Sequence, residues 1–172
     1  MTIGWIGSPT TWKNVRPLLP LLENLCAEQN ACFRVVGAGA AAMPDRFPGM
    51  ELIEWSEQGE VADVQQMDIG IRPLIDSPFE RGKSGYKLVQ YMACGLPVVA
   101  SPVGVNRTIV DDGANGYLAT SEEDWRRALE RLIADSDLRR GMGAHGRQLV
   151  EDSYSLNSQA PLLTELLKSI AP

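Results

Sequence analysis

Residues Gly82 to Gly104, GKSGYKLVQYMACGLPVVASPVG, decide how the rest of the chain is read. Gly82 and Gly85 open the stretch, and without side chains they let backbone amides approach an anion closely. From Tyr86 the residues read as a short helix whose positive end is aimed at the same place. Lys83, Lys87 and Gln90 follow one another at intervals of four and three and share a face, while Leu88, Val89, Met92 and Ala93 make the packed side. Gly95 suits a left-handed helix exit, and Pro97 forbids continuation. Val98, Val99 and Ala100 are then an apolar run too short for a helix, which predicts a strand covered on both faces. An anion is the natural guest of such a loop. The same residues also fit an ordinary loop–helix–strand joint with solvated lysines, and local physics leaves both readings open.

Outward from this stretch the pattern repeats. Thr2 to Ile6, Cys32 to Val36, Met50 to Glu54, Ile69 to Pro73, Pro97 to Ala100 and Gly116 to Ala119 are expected strands, with helical spacing between them. That alternation predicts an α/β fold: a Rossmann-like doubly wound parallel sheet of about six strands with helices on both faces. Ligands of such sheets sit beyond the carboxyl ends of the strands. Five segments should therefore converge on one edge: Gly7 to Lys13, Gly37 to Gly39, Arg72 to Ser77, Gly82 to Gln90 and Ser101 to Gly104. The loop after the first strand offers the hydroxyls of Ser8, Thr10 and Thr11 and the ammonium of Lys13, a set able to hold a diphosphate. Equally, it reads as a capping loop in which Asn14 caps the next helix, with Pro20 kinking or delaying that helix. Downstream, Thr120 with Glu123 predicts a capping box. Ser136 to Glu151 and Gln159 to Ile170 predict the last two helices.

Composition narrows the class. A chain of 172 residues, 44% hydrophobic and 22% charged, is one ordinary globular unit, residues 1–172, with no internal repeat or linker. A formal net charge of −6 argues against a general nucleic-acid binder. No apolar run is long enough to cross a bilayer and no signal-peptide pattern follows Met1, so no transmembrane segment is expected. Cys26, Cys32 and Cys94 are odd in number and lack metal-ligand spacing, which favours free thiols in a reducing compartment and no metal site.

Met92 to Ser101 matches, almost residue for residue, the nucleotide-sugar-binding motif of the group 1 retaining glycosyltransferases, enzymes of the two-domain GT-B architecture. IGWIGSPTTWKN, FRVVGAG, MDIGIRP and IVDDGANGYLA resemble the flanking segments of that family. The resemblance implies the donor-binding, C-terminal half of such an enzyme, with an N-terminal acceptor-binding domain as its partner. It also implies transfer of a sugar from a nucleoside-diphosphate-sugar with retention, without metal or other cofactor. A cytoplasmic place is implied, compatible with peripheral work at the inner face of the membrane. Lys13, Lys83 and Lys87 are then the catalytic candidates, because fixed cations stabilise the departing diphosphate. Gly7, Ser8, Thr10, Glu80, Arg81, Gly82, Ser84, Gly85 and Gln90 are the donor-binding candidates. Arg107 is a further cation near the expected phosphates.

The chain departs from the family at three places. The two glutamates usual on the motif's helix are replaced by Gly82 and Gln90, and the arginine of the first loop by Ser8. Gln90 retains hydrogen-bonding capacity toward a ribose, whereas Gly82 cannot replace a carboxylate. Glu80 can reach the sugar only if its loop bends back. These departures keep a nucleotide-binding or interaction domain without transfer chemistry as an alternative. A further rival is a nicotinamide- or flavin-binding domain, suggested by GAGAAA at Gly37 to Ala42. That fingerprint needs a helix directly after the glycines, where Pro44 and Pro48 stand. His145, the lone histidine, is expected to pack and not to catalyse.

Overall fold

A computed structural model describes residues 1–170. Six strands, β1 (Thr2–Ile6), β2 (Cys32–Val36), β3 (Met50–Ile53), β4 (Ile69–Arg72), β5 (Val98–Ala100) and β6 (Gly116–Leu118), form one sheet in the order β3-β2-β1-β4-β5-β6. Every pairing is parallel. The helices are α1 (Leu19–Gln29), α2 (Glu60–Gln65), α3 (Pro78–Arg81), α4 (Tyr86–Ala93), α5 (Asn106–Ile109), α6 (Glu122–Ala134), α7 (Ser136–Ser153) and α8 (Leu156–Ile170).

Period-two alternation along the strands divides the core into two layers. Ile3, Trp5, Phe33, Val35, Ile69, Ile71 and Val99 face α1 and α6, whose Leu21, Leu22, Leu25, Trp125, Leu129 and Leu132 cover them. Ile6, Val36, Val98 and Ala100 face the opposite layer, made by α2, α4, α5 and part of α7. Both faces are apolar because both are covered, as the continuous hydrophobic runs predicted. Each large side chain so buried contributes about 1.5–3 kcal/mol.

Local signals placed most elements within two or three residues, and the misses have clear causes. Asn14 does not cap a helix. The chain after β1 runs through two 3-10 segments, Pro9–Asn14 and Arg16–Leu18, and α1 is delayed to Leu19 so that Pro20 falls in its first turn. Asn14, freed from capping, is buried instead. The capping box ahead of α6 is shifted by one residue: the Ser121 hydroxyl accepts the Asp124 N–H at 3.1 Å, and the Asp124 carboxylate accepts the Ser121 N–H at 3.0 Å. The glycines after β2 lead into a 3-10 turn, Gly39–Asp45, and not into the α-helix that a dinucleotide fingerprint requires. No helix among the described residues is long and apolar enough to cross a membrane.

Candidate functional site

The sheet order reverses between β1 and β4, and there the two strands part. Their pairing comprises Ile3 with Ile69 and Gly4 with Gly70, and stops. Tyr91 of α4 enters the gap. Its ring lies over Gly70, where a Cβ would overlap it, and its fully buried hydroxyl accepts the Ile6 N–H at 2.9 Å and donates to the Ile71 carbonyl at 3.3 Å. Burial pushes the phenol's pKa upward, so this hydroxyl stays protonated. Beyond it the diverging carboxyl ends open a cavity of about 640 Å³, a size typical of small-molecule sites.

Four sides wall this cavity. The first loop contributes Gly7, Ser8, Thr11 and Asn14; the end of β4 contributes Arg72, Pro73 and Leu74; the start of α4 contributes Lys83, Ser84, Tyr86 and Lys87; Gly37, Trp55 and Glu60 close the remaining side. Gly37 has φ +83°, and a Cβ there would overlap the Gly7 carbonyl, so only glycine permits the close approach of the two loops. The fifth expected segment braces the cavity without lining it: the Ser101 hydroxyl accepts the Leu74 N–H at 3.0 Å. Trp55 and Tyr86, 48% and 59% exposed, offer aromatic surface at the mouth.

The charged groups form two sets. Glu80, its side chain 1% exposed, pairs with Lys83 at 2.6 Å and accepts the Asn14 amide N–H at 3.2 Å, while the Asn14 carbonyl accepts the Ile75 N–H at 3.1 Å. This set ties the first loop to α3 and to the start of α4. Burial alone would raise the Glu80 pKa, but the bonds from Lys83 and Asn14 and the charges of Lys83 and Lys13 outweigh it and hold the carboxyl below its ordinary value. In the second set Glu60 accepts bonds from the Trp55 indole and the Gln90 amide and faces Lys87 at 3.8 Å. Burial again pushes upward, and the Trp55 bond, the Lys87 charge and the Gln90 bond bring the net shift of Glu60 downward. Burial pulls the Lys87 pKa down, opposed by Glu60.

Of the candidates named from sequence, Gly7, Ser8, Lys83, Ser84 and Lys87 line the cavity together. Lys13 is exposed outside the lining and acts on Glu80 through its charge alone. Thr10 stands one step back, its hydroxyl 3.0 Å from that of Ser8. Arg81 points to solvent and is held bidentate by Asp76, at 2.6 and 2.9 Å, and Arg107 borders a different cavity beside His145. Gln90 and Glu80 lie behind the lining, each committed to a partner. Gly85 is needed for packing: at φ +73° it starts α4, and a Cβ would strike Ile109. Gly82 is different, since a Cβ would meet nothing nearer than 3.6 Å, so its lack of a carboxylate is not imposed by space.

The profile of the family described as Glycosyl transferases group 1 matches residues 1–135, most of the chain and all of its sheet. This chain belongs to that family. An uncharacterised glycosyltransferase of Methanocaldococcus jannaschii is 31% identical over 97 residues, 55% of this chain and 24% of that protein. The chain thus spans about a quarter of the length of that curated relative. Among solved structures, Anabaena HepE in complex with UDP and glucose superposes with a TM-score of 0.79 at 17% identity, over 98% of this chain and 48% of HepE. The C-terminal domain of a group 1 family protein from Francisella tularensis gives 0.68 at 21%, over 90% of this chain and 86% of that domain. These likenesses establish the fold.

Arg72, Glu60 and Asn14 are among the lining residues of this group 1 chain that the sequence does not single out as site candidates. Arg72 carried a signal, a charge ending an apolar strand at its carboxyl end. Glu60 carried none, because its partner Gln90 is 30 residues away. Asn14 reads equally well as a cap, because its partner Glu80 is 66 residues away.

Proposed function

We propose that this chain is the donor-binding half of a glycosyltransferase, which transfers a sugar from a nucleoside-diphosphate-sugar to an acceptor with retention of anomeric configuration. The observation that carries the reading is the cavity at the parting of β1 and β4, into which the start of α4 brings Lys83 and Lys87. Departure of a nucleoside diphosphate develops negative charge, and each well-placed donor lowers that barrier by about 3 kcal/mol. Lys83 and Lys87 serve there, with the hydroxyls of Ser8 and Ser84. Glu60, steadied by Trp55 and Gln90, offers an acceptor to sugar or ribose hydroxyls, and the exposed face of Trp55 a stacking surface for the base. Support comes from HepE, which was solved with UDP and glucose on the same fold. The three free thiols suit a reducing, cytoplasmic setting.

The acceptor would be held by a second domain. The length of the relatives supports this, as does α8, whose Leu162, Leu163, Leu166 and Leu167 share an uncovered apolar face. Calorimetry with UDP, GDP and ADP and their sugars tests the donor reading. Binding of one of them, lost in the Lys83→Ala, Lys87→Ala double variant, is expected. Equal binding by the folded double variant would refute the assignment of the lysines, and no binding of any nucleotide would refute the function.

A further inference from the structure

Three cations line the cavity, and two of them are already matched. Lys83 is held by Glu80 at 2.6 Å, and Lys87 faces Glu60 at 3.8 Å. Among the described residues Arg72 forms no ion pair, and its Nε is buried without a hydrogen-bond partner. Its backbone is fixed: Arg72 pairs with Ala100 in the sheet, and its carbonyl accepts the Ser101 N–H at 3.1 Å. The guanidinium is therefore delivered to the floor of the cavity by a strand and not by a mobile loop. Burial pulls its pKa down, opposed by Tyr91 and Glu80, yet a guanidinium stays charged in any protein. A charge taken out of water without a partner is costly, and although Arg72 as a whole is only half-buried, among the described residues no carboxylate pairs with it and Glu80 acts on it only through its charge. An anion entering the cavity would supply the partner that the guanidinium lacks.

We propose that Arg72 is the binding residue that receives the diphosphate, its planar N–H fork taking a pair of phosphate oxygens at the floor of the cavity. A planar fork matches phosphate oxygens bidentately, which an ammonium does not. The role rests on the donor-site reading, but its chemistry is that of a diphosphate and can be probed without a nucleoside.

The test uses the 172-residue chain with pyrophosphate, UDP and uridine as separate calorimetric probes. Arg72→Gln is expected to weaken pyrophosphate and UDP by about 10- to 100-fold, the loss of a charge-assisted hydrogen bond, and to leave uridine unchanged. Arg72→Met should do the same while melting, without ligand, at or above the wild-type temperature, because an unmatched charge has gone. Unchanged pyrophosphate affinity in the glutamine variant overturns the proposal. So does a methionine variant that melts lower yet binds pyrophosphate normally, which would mark Arg72 as structural. Should the methionine variant not fold, Arg72→Lys decides: partial loss of pyrophosphate supports the fork, and full affinity overturns it. A wild-type chain that binds pyrophosphate but no UDP, GDP or ADP would remove the nucleoside reading and leave Arg72 standing. One that binds UDP with every Arg72 variant equally tight would do the reverse, and one that binds neither probe refutes both.

Discussion

Replacing Tyr91 with phenylalanine removes one oxygen from the centre of the molecule and nothing else. The ring would still fill the space above Gly70, so no cavity term arises. What is lost is the acceptor of the Ile6 N–H at 2.9 Å and the donor to the Ile71 carbonyl at 3.3 Å, at a site that is 0% exposed. The Ile6 amide cannot turn to β4 instead, because the strands have already parted after Gly4 and Gly70. A buried donor left without a partner costs about 1–3 kcal/mol. For a chain of this size that is a fall in Tm of about 2–12 °C. Urea unfolding of Tyr91→Phe should show a lower midpoint with an unchanged slope, and hydrogen exchange should quicken at the Ile6 amide. A change below about 0.5 kcal/mol, the range of ordinary surface substitutions, together with unaltered Ile6 exchange, would refute the idea that the hydroxyl holds the two strand ends.

Two further expectations follow from the site. Glu80 and Glu60 are both held below the ordinary glutamate value of 4.5, so over that interval the unfolded chain binds more protons than the folded one. Their contribution to stability is complete above 4.5 and is lost as pH falls through the depressed values; urea midpoints from pH 6 to pH 3 should fall, less steeply in Glu80→Gln, and an identical slope in that variant would contradict the assignment. Gly82→Glu should fold with a melting temperature within a few degrees of wild type, since φ is −81° and the nearest atom to a Cβ is 3.6 Å away; a large loss of stability would show that glycine is required there after all.

The fold was legible because its determinants are local. Short apolar runs bounded by Gly and Pro fix strands, a 3.6-residue period fixes α4 and α6, and the string from Met92 to Ser101 supplied the family. Even the edge on which the loops open a cavity followed, because parallel strands present their carboxyl ends together. The near misses were equally local. The capping loop, one of two readings open for Asn14, does not form, and the box at α6 sits at Ser121 in place of Thr120, because Ser and Thr side chains compete for the same amides at a helix start.

The site's electrostatics were decided elsewhere. Sequence supplied Lys13, Lys83 and Lys87 as catalytic candidates, Arg81 as a donor-binding one and Arg107 as a further cation; the structure holds Arg81 on Asp76 and Arg107 at another cavity, leaves Lys13 outside, matches Lys83 and Lys87 to carboxylates, and leaves Arg72 unmatched. Gln90 faces the right way by helical spacing, yet Glu60, brought from α2, stands between it and the cavity. Helical and strand periods depend on neighbours a few positions away, so a sequence carries them openly. Which amide braces each cavity carboxylate, Gln90 on Glu60 and Asn14 on Glu80, depends on side chains 30 to 66 positions apart being folded against one another, and the cavity itself on where β1 and β4 separate around a single buried phenol.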